Sequence, residues 1–164
     1  MRTITVLLTG YSDWFSTFLC CIDKGYSHAS IAIDEKEEVF YSFNKKGFCI
    51  EKPKKYAPKS RRKKSVCIRM QVPDDVYHQL EDEIWRFIEH RESYKYSRMG
   101  VILCLLHIPY KFHNKYFCSQ FVSEVLAKAG VVELQKKESL YMPSQLISQL
   151  RCRFAEMQLF HNVI

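Results

Sequence analysis

NKYFCSQFVSEVLAKAG, residues 114–130, reads as a helix with a cysteine in its first turn. Phe117, Phe121, Val122, Val125, Leu126 and Ala129 recur at helical spacing, Asn114 is the expected N-cap and Gly130 the expected stop. Cys118 therefore falls near the helix start, where unpaired N–H groups and the positive end of the macrodipole favour a thiolate, whose ordinary pKa is about 8.5. The amides that follow can stabilise an oxyanion. A lone cysteine beside an apolar stripe also reads as a small buried hydrophobe. The chemical reading needs a base, a histidine elsewhere in the chain that could reach this helix.

The chain has 164 residues, a hydrophobic fraction of 47% and 14% aromatics, as expected of one globular domain over residues 1–164 with a real core. The net charge of +7 is unevenly spread. Ten Lys or Arg and a single acid, Glu51, lie between Lys45 and Lys64, so this stretch carries +9 and the remainder −2. Nucleic acid, an anionic membrane surface and an acidic substrate are the partner classes for such a segment, and a solvated loop is the alternative. Seven cysteines, an odd number with no CxxC spacing, argue against a secreted disulfide framework and against structural zinc. They point to a cytoplasmic protein, with any peripheral membrane contact at the basic loop. The opening MRTITVLLTG reads as a strand rather than a signal peptide, because the apolar run stops at Gly10 and Asp13 follows. GVILCLLHI, residues 100–108, is too short to span a bilayer.

In chain order, ITVLLTG is a buried strand, and Ser12 caps a helix over DWFSTFLCCI that Lys24 and Gly25 end. YSHASIAID and VFYSF form a hairpin over Tyr26–Phe43, and GFCIE is a further short strand after the turn at NKKG. The composition of Glu51–Ser65, EKPKKYAPKSRRKKS, is that of a loop, after which SVCIRMQV resumes as a strand. Pro73 and Asp74 open a long helix with Val76, Leu80, Ile84, Phe87 and Ile88 in one stripe. A second helix covers Met99–His107, the Cys118 helix follows, Pro143 opens a short helix, and CRFAEMQLF is a last strand. This order defines an α+β fold with a mainly antiparallel sheet packed against helices. Phosphate-cradling GxxxxGK[ST] and GxGxxG motifs are both missing, which argues against a parallel nucleotide-binding fold.

Among six histidines, His78 and His90 read as solvated helix residues, His107 and His113 as surface or structural residues near the cysteine helix, and His161 as terminal. His28 differs. It sits in YSHASIAI among small and apolar residues, where a polar ring needs a partner. An imidazole on a rigid strand and a cysteine at a helix start make the arrangement that thiol catalysis requires. Isolated histidines without an i, i+4 ligand pair argue against a metal, and no cofactor is expected.

YSHASIAI followed by a hairpin strand, with YFCSQFVSEVL far downstream, resembles the circularly permuted branch of the papain-like hydrolases of the NlpC type, which includes the lecithin retinol acyltransferase relatives. In that branch the histidine strand precedes the cysteine helix. The resemblance implies Cys118 as nucleophile, with Ser119 completing the CS pair, His28 as base, and MPSQL as the proline-led segment after the nucleophile helix. It also implies a third, polar residue on the strand after the histidine, to orient the imidazole. If residues pair across the hairpin with numbers summing to 72, His28 faces Asn44 with Ser42 as diagonal neighbour; at 71 it faces Phe43, with Tyr41 nearby. Ser42, Asn44 and Tyr41 all remain open, and no Asp, Glu or His lies on this strand. Tyr11, Tyr26 and Ser119 are the expected substrate-side residues, and Tyr11 also reads as a packing tyrosine.

The expected activity is that of a thiol hydrolase or acyltransferase working on an amide or ester through a thioester. By resemblance its substrates are peptides, amide-linked cell-wall fragments or acyl lipids. The rival is a weak or inactive binding module of the same fold that holds an anionic ligand or lipid surface. Nucleic acid has only charge in its favour, because Lys52–Lys64 contains one aromatic, Tyr56.

Overall fold

Alternation in the first strand sets the architecture. In β1 (Arg2–Tyr11) the side chains of Ile4, Val6 and Leu8 turn to one face and are fully buried, while Thr5, Leu7 and Thr9 turn to the other. The computed structural model describes residues 1–11, 14–52, 62–153 and 158–161. After β1 come α1 (Trp14–Ile22), β2 (His28–Ala32), β3 (Phe40–Asn44), β4 (Gly47–Glu51) and the eleven-residue β5 (Arg62–Val72). Then follow α2 (Asp74–Glu89), β6 (Lys95–Tyr96), α3 (Arg98–Leu105), β7 (Lys115–Tyr116), α4 (Cys118–Lys128), α5 (Pro143–Arg153) and β8 (Gln158–His161). The molecule is α+β. Its main sheet has the order β4-β3-β2-β1-β5-β8 with every neighbour antiparallel, and β6 and β7 form a separate parallel pair.

Besides Cys152 and Arg153, which end α5 rather than open the last strand, two expectations about the chain order change. The last basic residues of the expected loop, Arg62–Lys64, already belong to β5, which pairs with the end of β1. Most of that basic loop, residues 53–61, lies outside the described residues, as does the expected cap Ser12. The second change concerns the start of α4. Asn114 is not its N-cap: the residue sits in a turn at φ 52° and its carbonyl accepts from the Lys95 amide at 2.9 Å, after which β7 pairs with β6. Phe117, in extended conformation and without a side-chain cap, is the residue before the helix. Pairing of the short strands overrides the capping preference, and it brings the two helix starts together. The Ser97 amide bonds the Tyr116 carbonyl at 2.8 Å, while the Ser97 hydroxyl caps α3 by accepting from Gly100.

Gly130 ends α4 as its sequence position foretells. It adopts φ 74°, its amide bonds Ala127 O and the Val131 amide bonds Leu126 O, the paired bonds of a Schellman motif. Phe121, Val122, Val125 and Leu126 are fully buried in the main core against β2, β3 and α2. At about 1.5–3 kcal/mol for each such side chain, this helix is held by burial rather than by its cap. Phe121 packs 5.4 Å from the ring of Phe43 on β3 and 4.9 Å from Phe87 on α2, centroid to centroid. These rings fix the helix against the hairpin that carries the histidine.

Candidate active site

His28 opens β2 and pairs with Thr9 of β1, so its ring stands at the end of the sheet. Cys118 is the first residue of α4 and is 5% exposed. Its Sγ lies 3.9 Å from the carbonyl of Ser27, and its side chain hydrogen-bonds the His28 ring. On the other side, Nε2 of His28 is 3.0 Å from both carboxylate oxygens of Glu51. One nitrogen thus carries the carboxylate, which leaves Nδ1 as the nitrogen that can exchange a proton with the thiol. Burial opposes charge on this imidazole, but the Glu51 carboxylate and the hydrogen bonds the ring makes to Cys118 and Glu51 outweigh it and hold the His28 pKa well above 6.5. The first bond back along the helix runs from the Phe121 amide to Phe117 O at 3.0 Å. The amides of Cys118, Ser119 and Gln120 precede it, in the turn that has no intrahelical acceptors.

Glu51 is the residue that sequence reasoning missed. The β2–β3 register pairs Ile31 with Tyr41, a sum of 72, so Asn44 does fall opposite His28. Neither expected orienter holds the ring, however. The Ser42 hydroxyl is fully buried and donates to Ala29 O at 2.6 Å, while Asn44 is exposed and its Oδ1 accepts from the Lys46 amide in the β3–β4 turn. Tyr41 stacks on Phe48. That turn sets a register of Ser42 with Cys49 and Phe40 with Glu51, so His28, Ser42, Cys49 and Glu51 share one parity across three strands. The available signal was the acid that closes GFCIE, the only one in the basic stretch.

Cys49 also touches Glu51, its Sγ donating to Oε1 at 3.4 Å. Burial and the Glu51 charge push this thiol far up, so it stays protonated beside the pair.

Two other sequence-predicted residues have partners of their own. Ser119 is buried and donates to Tyr141 O at 2.7 Å, which ties α4 to the MPSQL segment. Tyr26 belongs to the main core, with the Lys64 ammonium 4.7 Å above its ring. Tyr11 ends β1, and its side chain lies outside the described residues.

A cavity of about 330 Å³ opens beside the pair, lined by Ser27, His28, Phe43 and Glu51, with Ser16 and Leu19 of α1 and Tyr96 on its far side. Lys45, Lys46 and Arg98 are at its edge, all three exposed. No group of three or more His, Cys, Asp or Glu side chains suited to a metal ion occurs among the described residues. Comparison of the sequence with protein-family models and with curated proteins finds no match.

Proposed function

We propose that this protein is a cysteine hydrolase or acyltransferase of permuted papain-like, NlpC-type fold, with Cys118 as nucleophile, His28 as general base and Glu51 as the residue that orients His28. The observation that carries the reading is the contact of one buried imidazole with the Cys118 thiol on one side and the Glu51 carboxylate, at 3.0 Å, on the other. In the reaction, His28 takes the thiol proton and Sγ attacks the carbonyl carbon of an amide or ester. The oxyanion forms against the free amides at the start of α4, and collapse breaks the bond to the leaving amine or alcohol, which takes the proton from His28. Water or an amine, deprotonated by His28, then attacks the thioester and restores the thiol. Lys45, Lys46 and Arg98 at the cavity edge suit a substrate with an anionic group.

The competing reading, a binding module of this fold, draws on the burial of Cys118, which is 5% exposed and not part of the cavity lining. Iodoacetamide labelling read cysteine by cysteine in a mass spectrometer separates the two. The enzyme reading expects Cys118 to label ahead of exposed Cys21 and Cys152 below pH 8, to lose that lead in His28→Ala, and to collect an acetyl group from p-nitrophenyl acetate. Labelling of Cys118 no faster than Cys152, unchanged by His28→Ala, would leave the binding module.

A further inference from the structure

From Ser93 to Ser123 the chain contains Lys95, Arg98, Lys111 and Lys115 and no Asp or Glu. Within this acid-free stretch α3 and the turn after it expose large apolar side chains: Met99 is 53% exposed, Ile102 46%, Leu106 62%, Ile108 47% and Tyr110 54%. Met99, Ile102 and Leu106 recur at helical spacing, so they form a stripe on the side of α3 away from Val101 and Cys104, which are buried. Val101 and Cys104 pack on Leu19 of α1, a helix without any charged residue that itself exposes Phe18 and Ile22. Scattered apolar residues on a surface need no explanation, as with Trp85 on α2, but a stripe continued by a turn does. Its start is basic: exposed Arg98 precedes Met99, and exposed Lys95 and Lys115 are paired across β6 and β7 just before it, whereas Lys111, after Tyr110, is held by the buried Glu124 at 2.7 Å.

We propose that the exposed face of α3 and the Leu106–Tyr110 turn is a docking surface for an anionic lipid bilayer, entered by the aliphatic and tyrosine side chains and held by Arg98 with Lys95 and Lys115 beside it. Long apolar side chains beside a group of exposed cations match a layer whose interior is hydrocarbon and whose surface is negative. No helix among the described residues is long and apolar enough to cross a membrane, so the contact is interfacial. This surface differs from the basic loop to which the sequence assigned membrane contact. Arg98 belongs both to it and to the cavity edge, so docking brings that cavity beside the lipid.

The test is flotation of the full chain with vesicles of phosphatidylcholine alone and of phosphatidylcholine mixed with phosphatidylglycerol. The mixed vesicles should carry the protein upward and salt should weaken the binding. The double variant Ile102→Glu/Leu106→Glu should bind about tenfold or more weakly at an unchanged melting temperature. Trp85→Ser should bind as wild type. Cys118→Ser should also bind as wild type, so a failed nucleophile and a failed docking face give different results. The proposal is overturned if neither vesicle binds, if the double variant floats like wild type, or if light scattering shows a dimer that the double variant dissociates.

Discussion

At the scale of single residues, Glu51 decides how the imidazole behaves. Its charge and hydrogen bond raise the His28 pKa against the pull of burial, and at Cys49 the same carboxylate adds to burial in keeping the thiol protonated. Removing the charge while keeping the shape therefore has opposite effects on two cysteines. In Glu51→Gln the imidazolium loses its partner, and Cys118 labelling near pH 6–7 should fall about tenfold for each unit by which the His28 pKa drops. Cys49, freed of a neighbouring negative charge, should label faster. The His28 ring resonances, followed by NMR against pH, supply the corresponding shift toward 6.5. The cysteine and histidine were legible in the sequence because each stands out locally, one at a helix start and one in an apolar strand. Glu51 was not, since a terminal acid in a five-residue strand looks like any solvated carboxylate until two registers are known.

Among elements, the joint between α1 and α5 supports the site from below. Asp23, in the turn that ends α1, is buried and accepts from the amide of Ser144 at 2.8 Å and from its hydroxyl. A carboxylate in the first turn of α5 meets unpaired amides and the positive end of the helix. Burial nevertheless raises its pKa above the ordinary carboxylate value, so part of the gain is offset by desolvation. Asp23→Ala should destabilise the protein by about 0.5–2 kcal/mol, the usual range for a lost cap, in urea unfolding followed by circular dichroism. The turn that carries Asp23 leads straight into Ser27 and His28, so Cys118 labelling in this variant should slow as well. Gly10 shows how closely that turn is held: a Cβ there would lie 2.3 Å from Gly25 O. Helix α2 followed its apolar periodicity faithfully, with Leu80, Ile84 and Phe87 all buried, because its stripe meets one continuous core.

For the whole molecule, the His28–Glu51 contact links stability to pH. A histidine whose folded pKa lies above its unfolded value of about 6.5 contributes stability that is fully present below that value and is lost as pH rises through the folded pKa. The stability difference between wild type and Glu51→Gln should therefore be largest near pH 6 and narrow at alkaline pH, as measured by urea unfolding across the range. A difference that does not change with pH would mean the pair carries no proton linkage. What the sequence determined by itself was local: strand and helix periods, the stop at Gly130, the α+β order and the two residues of unusual setting. These depend on neighbours a few positions away, and the chain states them directly. Tertiary structure alone decided the rest. His28 and Cys118 are ninety residues apart and meet because the Phe43, Phe87 and Phe121 rings lock α4 against the hairpin. The start of α4 depended on pairing between β6 and β7, which outweighed a favourable cap at Asn114. Glu51 came to His28 through three strands in register, an arrangement specified by burial of the whole sheet face and invisible in any window of the sequence.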